Sequence, residues 1–306
     1  MLSSRVVVTG GNGFVGNHLV HMLLEQGYKV TSIDREPNYN PLSGVEYLSQ
    51  DLESVSNQQL QHILKDSTIV HLAAISSSPV CEEMPNLAID VNIKIILKLI
   101  EIANISNSTM IFASSEWVYP DSSEPKQLAE DFPIELTTDT NIYAMSKVVG
   151  EWLIKRYCQN YSILRFGIVY GERLIPQSSV EKVVQLAVNN NVIEIGNLDT
   201  ARRFIHVEDI CRGIIKCIEE RNLALNNVFN LAGDKLVRLG DIVDLLQDYL
   251  DNPLSLKIGD TKSSIRNPTV SSFYSTFNWF PQIQIAHGIE RLVNWELGKK
   301  ENKSHV

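Results

Sequence analysis

The feature that most narrows what this chain can become is a glycine turn set between two different periodicities. Arg5 to Thr9 is a short β-branched run, Thr9 to Gly16 reads T-G-G-N-G-F-V-G, and Gly16 to Gln26 carries apolar residues at helical spacing. That order predicts a strand turning sharply into a helix. Gly10 allows the turn, Gly13 lets the backbone approach a pyrophosphate, and Gly16 permits close packing of the helix on the strand. Asn12, Phe14 and Val15 lie in the same turn, where the unpaired N–H groups of a helix start favour an anion. A glycine turn that only reverses the chain has similar letters, but the strand before it and the helix after it favour the anion site.

The alternation continues. Lys29 to Ile33, Val45 to Ser49 and Thr68 to Leu72 read as strands, and Gln58 to Lys65 as a helix. They are followed by a helix near Leu87 to Ile102, a strand at Thr109 to Ser114, a helix from Ile142 to Asn160 and a strand at Ser162 to Arg165. Strands joined by crossover helices predict an α/β fold with a doubly wound parallel sheet of six or more strands. Beyond residue 170 the periodicity loosens. Leu174 to Ser179, Asn189 to Arg203 and Asn252 to Ser272 are rich in Asn, Ser, Pro and Asp and read as loops and short elements of a smaller lobe.

Composition excludes several partners. A formal net charge of −9 argues against nucleic acid or an anionic membrane surface as the main partner. No apolar run reaches the roughly 18 residues that a membrane span needs. Cys81, Cys158, Cys211 and Cys217 form no paired zinc motif, so no metal site is expected and a reduced, cytoplasmic chain is. Met1 runs directly into the apolar Val6 to Val8, which is not a signal-peptide pattern.

Asp34 closes the second strand 18 residues after Gly16, where a carboxylate can accept hydrogen bonds from ribose hydroxyls and repel a 2′-phosphate. NAD is therefore expected over NADP, although Arg35 beside it could meet such a phosphate. Tyr143 and Lys147, four residues apart in N-I-Y-A-M-S-K, share one face at the start of a helix. A free tyrosine has a pKa of about 10, and a neighbouring ammonium favours its phenolate. Ser114 and Ser115 end the central strand, at the edge where open α/β sheets bind ligands. Alone, such serines read as a turn or cap; in sequence with the glycine turn, the acidic strand end and the Tyr-Lys helix they point to proton transfer.

These pieces, together with QDL at 50–52, VHLAA at 70–74, DVN at 90–92, SSEWVY at 114–119, LRFGIVYG at 164–171, RRFIHVEDI at 202–210 and NLAG at 230–233, span nearly the whole chain. On them the chain resembles the extended short-chain dehydrogenase/reductase family of NAD-dependent nucleotide-sugar epimerases and dehydratases. The resemblance implies a Rossmann domain over 1–170 with a return segment at about 203–232, and a smaller mixed α/β substrate lobe over 171–202 and 233–306. It implies that Asp51 and Leu52 approach the adenine, that Leu72, Ala73 and Ala74 line the cofactor, and that Ser115 joins Tyr143 and Lys147 in catalysis. Arg202, with Arg266 as a second candidate, would bind the diphosphate of a nucleoside-diphosphate sugar. A homodimer through helices around 92–104 and 143–158 is also implied.

Departures from the family pattern are informative. Where 4,6-dehydratases carry an adjacent Asp-Glu pair this chain has Glu116 and Trp117, so dehydration is disfavoured. Pro120 replaces a usual glycine, Ile168 stands where an asparagine is common, and His206 replaces a tyrosine and is expected to be a packed or hydrogen-bonded residue. The expected reaction is epimerisation at C4 through a transient 4-keto sugar, as in UDP-glucose 4-epimerase. A reductase of a nucleotide-linked ketosugar would use the same residues, and a non-enzymatic dinucleotide sensor could use the same fold.

Overall fold

The computed structural model describes residues 5–250 and 253–303. Its centre is a seven-stranded parallel sheet. β1 (Arg5–Thr9), β2 (Lys29–Asp34), β3 (Val45–Ser49), β4 (Thr68–His71) and β5 (Thr109–Ser115) are joined by the strands Tyr161–Phe166 and Asn227–Leu231. Across the sheet the order is Asn227–Leu231, Tyr161–Phe166, β5, β4, β1, β2, β3. Because helices cover both faces, the strands are apolar along their length rather than alternating: Val6, Val7 and Val8 are all buried, as is every residue of β5. α1 (Phe14–Glu25) lays Leu19, Val20 and Leu23 on the sheet. The chain order reverses between β1 and β4, which opens a crevice at the carboxyl ends of these strands.

Two regions depart from the sequence expectation. The helix expected over Leu87 to Ile102 is a helix Pro85–Ile89, a π turn Asp90–Lys94 and a helix Ile95–Ile105. The π turn points the buried Asn92 inward, where its amide accepts from Ile75 N at 2.8 Å and donates to Ile75 O at 3.0 Å and Ser146 Oγ at 3.2 Å. The widened turn therefore ties the loop after β4 to the helix Ile142–Tyr157. The segments Asn189 to Arg203 and Asn252 to Ser272 are also more regular than their composition suggests. Val192–Ile195 and Ser255–Ile258 pair in parallel, and Ala201–Arg202 pairs with Val237–Arg238. These short strands accompany the helices Ser179–Asn190, Leu239–Tyr249 and Ile285–Lys303, whose apolar faces, including Val184, Ile242 and Ile289, form a core separate from the sheet's two.

A buried ion pair binds the parts that carry the site. Glu151, two turns beyond Tyr143 and one beyond Lys147, accepts from Arg165 Nε at 2.8 Å, Arg165 Nη2 at 2.7 Å and Ser114 Oγ at 2.6 Å. Arg165 also donates to Tyr119 Oη at 2.7 Å and to the Glu130 carbonyl at 2.9 Å. Burial alone would raise the Glu151 carboxyl, but Arg165 and Ser114 outweigh it and hold the group below the usual carboxylate range. The stability this contributes is present above the ordinary carboxylate pKa and is lost as pH falls through the depressed one. Arg165→Met is expected to cost about 3–5 kcal/mol, because it strands a buried charge. The double variant Glu151→Leu/Arg165→Met is expected to recover much of that loss. Urea unfolding of the two variants checks this; equal losses in both would contradict it.

Candidate active site

A cavity of about 1120 Å³ runs along the crevice. All sixteen positions singled out for catalysis or cofactor contact border it: Gly10, Asn12, Gly13, Phe14, Val15, Gly16, Asp34, Arg35, Asp51, Leu52, Leu72, Ala73, Ala74, Ser115, Tyr143 and Lys147. The glycine turn is sterically fixed. Gly10 has φ +72°, and a Cβ on it would meet Ala73 N at 2.7 Å; a Cβ on Gly16 would lie 2.0 Å from Gly10 O. α1 starts at Phe14 with Gly13 as its N-cap, no capping side chain and no acidic residue in its first turn. Its first N–H groups are thus left for an anion.

Asp34 holds the loop as well as bordering the cavity. Its carboxylate accepts from Asn12 N at 3.0 Å and Glu36 N at 3.1 Å. Arg35 lies alongside Glu36, with Nε 3.6 Å from Oε1. The cradle that only glycine fits, the uncapped helix start and the carboxylate at the end of β2 together suit NAD.

Ser115, Tyr143 and Lys147 also line the cavity. Ser115 is the last residue of β5, and Tyr143 and Lys147 occupy the first two turns of the helix Ile142–Tyr157, which Asn141 caps through Ala144 N at 2.8 Å. Lys147 Nζ donates to Ala113 O at 2.8 Å and lies 5.7 Å from the centre of the Tyr143 ring. Desolvation pushes the Tyr143 phenol up, and a hydrogen bond with Ser115 pulls it back down. Desolvation also lowers the Lys147 ammonium to about 8. The tyrosine is therefore a phenol near neutrality, and further positive charge beside it is what favours the phenolate.

Arg202 and Arg266 come together, but behind the cavity wall. Both are buried rather than surface arginines, and neither borders the cavity. Trp117, which lines the cavity, lies against Arg266. The Arg266 guanidinium stacks 4.9 Å from the Trp117 ring centre, and Trp117 meets Tyr143 edge to face at 6.2 Å. Glu116 and Asp121 pair with the arginines. His206 is fully buried, 3.2 Å from Glu172 through Nε2, and caps a helix by accepting from Glu208 N. That is the packed, hydrogen-bonded role expected of it.

Sequence reasoning missed several wall residues. Trp117 carries no sequence signal beyond its departure from the dehydratase pattern and Arg173 carries none, although the Arg173 guanidinium lies 3.9 Å over the Phe14 ring and pairs with Glu181 at 2.6 Å. Arg173 sits in an aperiodic loop, which carries no positional signal. Among the described residues no group of His, Cys, Asp and Glu could hold a metal ion, and no helix is long and apolar enough to cross a membrane.

The NAD dependent epimerase/dehydratase family profile matches residues 6–232, and the chain belongs to that family. Among individual relatives, a putative UDP-glucose 4-epimerase of Methanocaldococcus jannaschii is 26% identical over 95% of this chain and 97% of its own. The UDP-glucuronate 4-epimerase of Thermodesulfobacterium geofontis is 26% identical over 97% and 96%. In structure, the UDP-glucuronic acid 4-epimerase of Bacillus cereus, solved with UDP-glucuronic acid and NAD, superposes with a TM-score of 0.82 at 22% identity, covering 96% of this chain and 99% of that one. That likeness establishes the fold.

Asp34→Ala removes both the loop's anchor and the charge that repels a 2′-phosphate. Loss of charge-assisted hydrogen bonds is expected to weaken NAD about 10- to 100-fold, and NADP much less. Fluorescence titration with the two dinucleotides checks this; an equal loss for both would contradict it.

Proposed function

We propose that the protein is a C4 epimerase of a UDP-linked sugar that keeps NAD through the cycle. The observation that carries this reading is that Ser115, Tyr143 and Lys147 line the same cavity as the glycine cradle. The names of the relatives support the substrate class. In this reading Gly10 to Gly16, Asp34, Asp51, Leu52 and Leu72 to Ala74 hold the dinucleotide, which supplies a hydride acceptor and donor. Tyr143 takes and returns the sugar hydroxyl's proton, Ser115 hydrogen-bonds the same oxygen, and the Lys147 ammonium favours the phenolate. Trp117 occupies the position where the dehydratase pattern has a carboxylate, so no second acid or base is provided there to expel water. Arg202 and Arg266 anchor the diphosphate while the sugar turns, once Trp117, which stands between Arg266 and the cavity, has turned aside to admit it.

The division into a cofactor domain over 1–170 with a return segment at 203–232, and a substrate lobe over 171–202 and 233–306, follows from the same reading. So does a homodimer: Leu97, Ile105, Trp152 and Tyr157 are exposed apolar residues on the two helices that would form it. The four unpaired cysteines suit a reducing compartment, and we place the protein in the cytoplasm.

The test is incubation of the purified protein with UDP-, dTDP-, CDP- and GDP-sugars without added cofactor. An isomeric product from a UDP-sugar, with NAD released on denaturation, is expected. Turnover only with stoichiometric NADH or NADPH would overturn the reading in favour of a ketosugar reductase. Tyr143→Phe is expected to lower kcat by about 10²- to 10⁴-fold, with UDP-sugar binding retained.

A further inference from the structure

Beneath Trp117 the two arginines are neutralised by two carboxylates that differ in one respect. Asp121 is half exposed and follows Pro120 in a loop; Glu116 is 0% exposed. Asp121 bridges the pair, with Oδ1 3.7 Å from Arg202 Nη2 and Oδ2 3.4 Å from Arg266 Nη2, and Ser264 Oγ donates to it at 2.6 Å. One carboxylate oxygen thus faces each guanidinium. Glu116 Oε1 lies 3.1 Å from Arg202 Nε, yet neither of its oxygens has a hydrogen-bond partner. A fully buried carboxylate with no hydrogen bond is costly when ionised.

We propose that a nucleoside diphosphate binds here by ion exchange: it displaces Asp121 from Arg202 and Arg266, and Glu116, which cannot leave, becomes the neutral acid. This rests on the assignment of the two arginines to the diphosphate. Charge balance carries it. Arg202 and Arg266 are balanced by Glu116 and Asp121, so a ligand with two negative charges leaves two charges in excess unless both internal anions are removed or neutralised. Asp121 can swing into water at little cost. Glu116 has no path to water, and a proton is the remaining way to discharge it.

The groups facing Glu116 are Arg202 on the strand Ala201–Arg202, Arg266 just before the strand Asn267–Pro268, Asp121 in the loop after it, and Tyr143 across Ser115. Burial pushes Glu116 up to about 7 against the pull of both arginines. Exchanging one aspartate charge for two phosphate charges raises it further, so binding takes up a proton near neutrality, and affinity falls as pH rises.

The measurement is titration calorimetry of the NAD-loaded protein with UDP-glucose and UDP-glucuronate, whose diphosphates do not titrate near neutrality. It is run at about pH 7 in two buffers of different ionisation enthalpy. The wild type is expected to take up about half a proton per ligand, and Glu116→Gln none. Asp121→Asn is expected to bind about 2- to 5-fold tighter with proton uptake retained. Absence of uptake in the wild type, uptake persisting in Glu116→Gln, or weaker binding by Asp121→Asn would each overturn the exchange. If Glu116→Gln does not fold, the wild-type pH series and Asp121→Asn still decide it. Failure of both UDP-sugars to bind the wild type removes the substrate assignment as well, whereas binding without proton uptake removes the exchange alone.

Discussion

The arrangement of the site depends on the buried pair of Glu151 and Arg165. Tyr143, Lys147 and Glu151 recur every four residues on one helix face, so the element that presents the phenol and the ammonium is fixed by the third member of the same stripe. Through Ser114 the pair reaches the end of β5, where Ser115 sits, and through Arg165 and Tyr119 it reaches the segment that leads to Asp121. Three separate stretches of chain are thus held by one carboxylate and one guanidinium. The cost of burying both charges is offset by saturating them with hydrogen bonds, which also leaves them one arrangement rather than several.

Charge organises the rest of the cavity. At the glycine turn the helix start and backbone supply positive potential beside the guanidiniums of Arg35 and Arg173, while Asp34 sets a negative limit at the edge of β2. Around Tyr143 the positive groups are side chains. Lys147 is desolvated beside Tyr143, and Arg202 and Arg266 wait behind Trp117 with their own counter-anions. The indole stands between Tyr143 and Arg266 and contacts both.

What could be read from sequence followed from short-range periodicity. The glycine turn sits where a strand gives way to a helix, Asp34 and Ser115 at strand ends and the Tyr143–Lys147 pair at a helix start, and the structure gathers them along one cavity. The π turn was invisible because a single extra residue in a helical turn leaves apolar spacing almost intact. Glu151 was hidden for a similar reason: a glutamate on a helix reads as solvent-facing unless its partner, here a buried arginine on a neighbouring strand, is known. Arg202 and Arg266 could be paired by motif, but their covering by Glu116, Asp121 and Trp117 is a product of three-dimensional packing. Among the described residues the loose pattern beyond residue 170 concealed six helices and several short strands; the shorter ones, set between Asn- and Ser-rich turns, give too few periods to detect.

In the proposed cycle one cavity both withdraws and restores the hydrogen at the sugar's C4, and Tyr143 handles only the hydroxyl proton. A UDP-sugar carrying deuterium at C4, followed by mass spectrometry and NMR in ordinary water, tests it most directly. Full retention of deuterium at C4 in the epimerised product is expected, because the hydride never leaves the protein. Loss of the label to solvent, or its appearance in free reduced cofactor, would contradict the account.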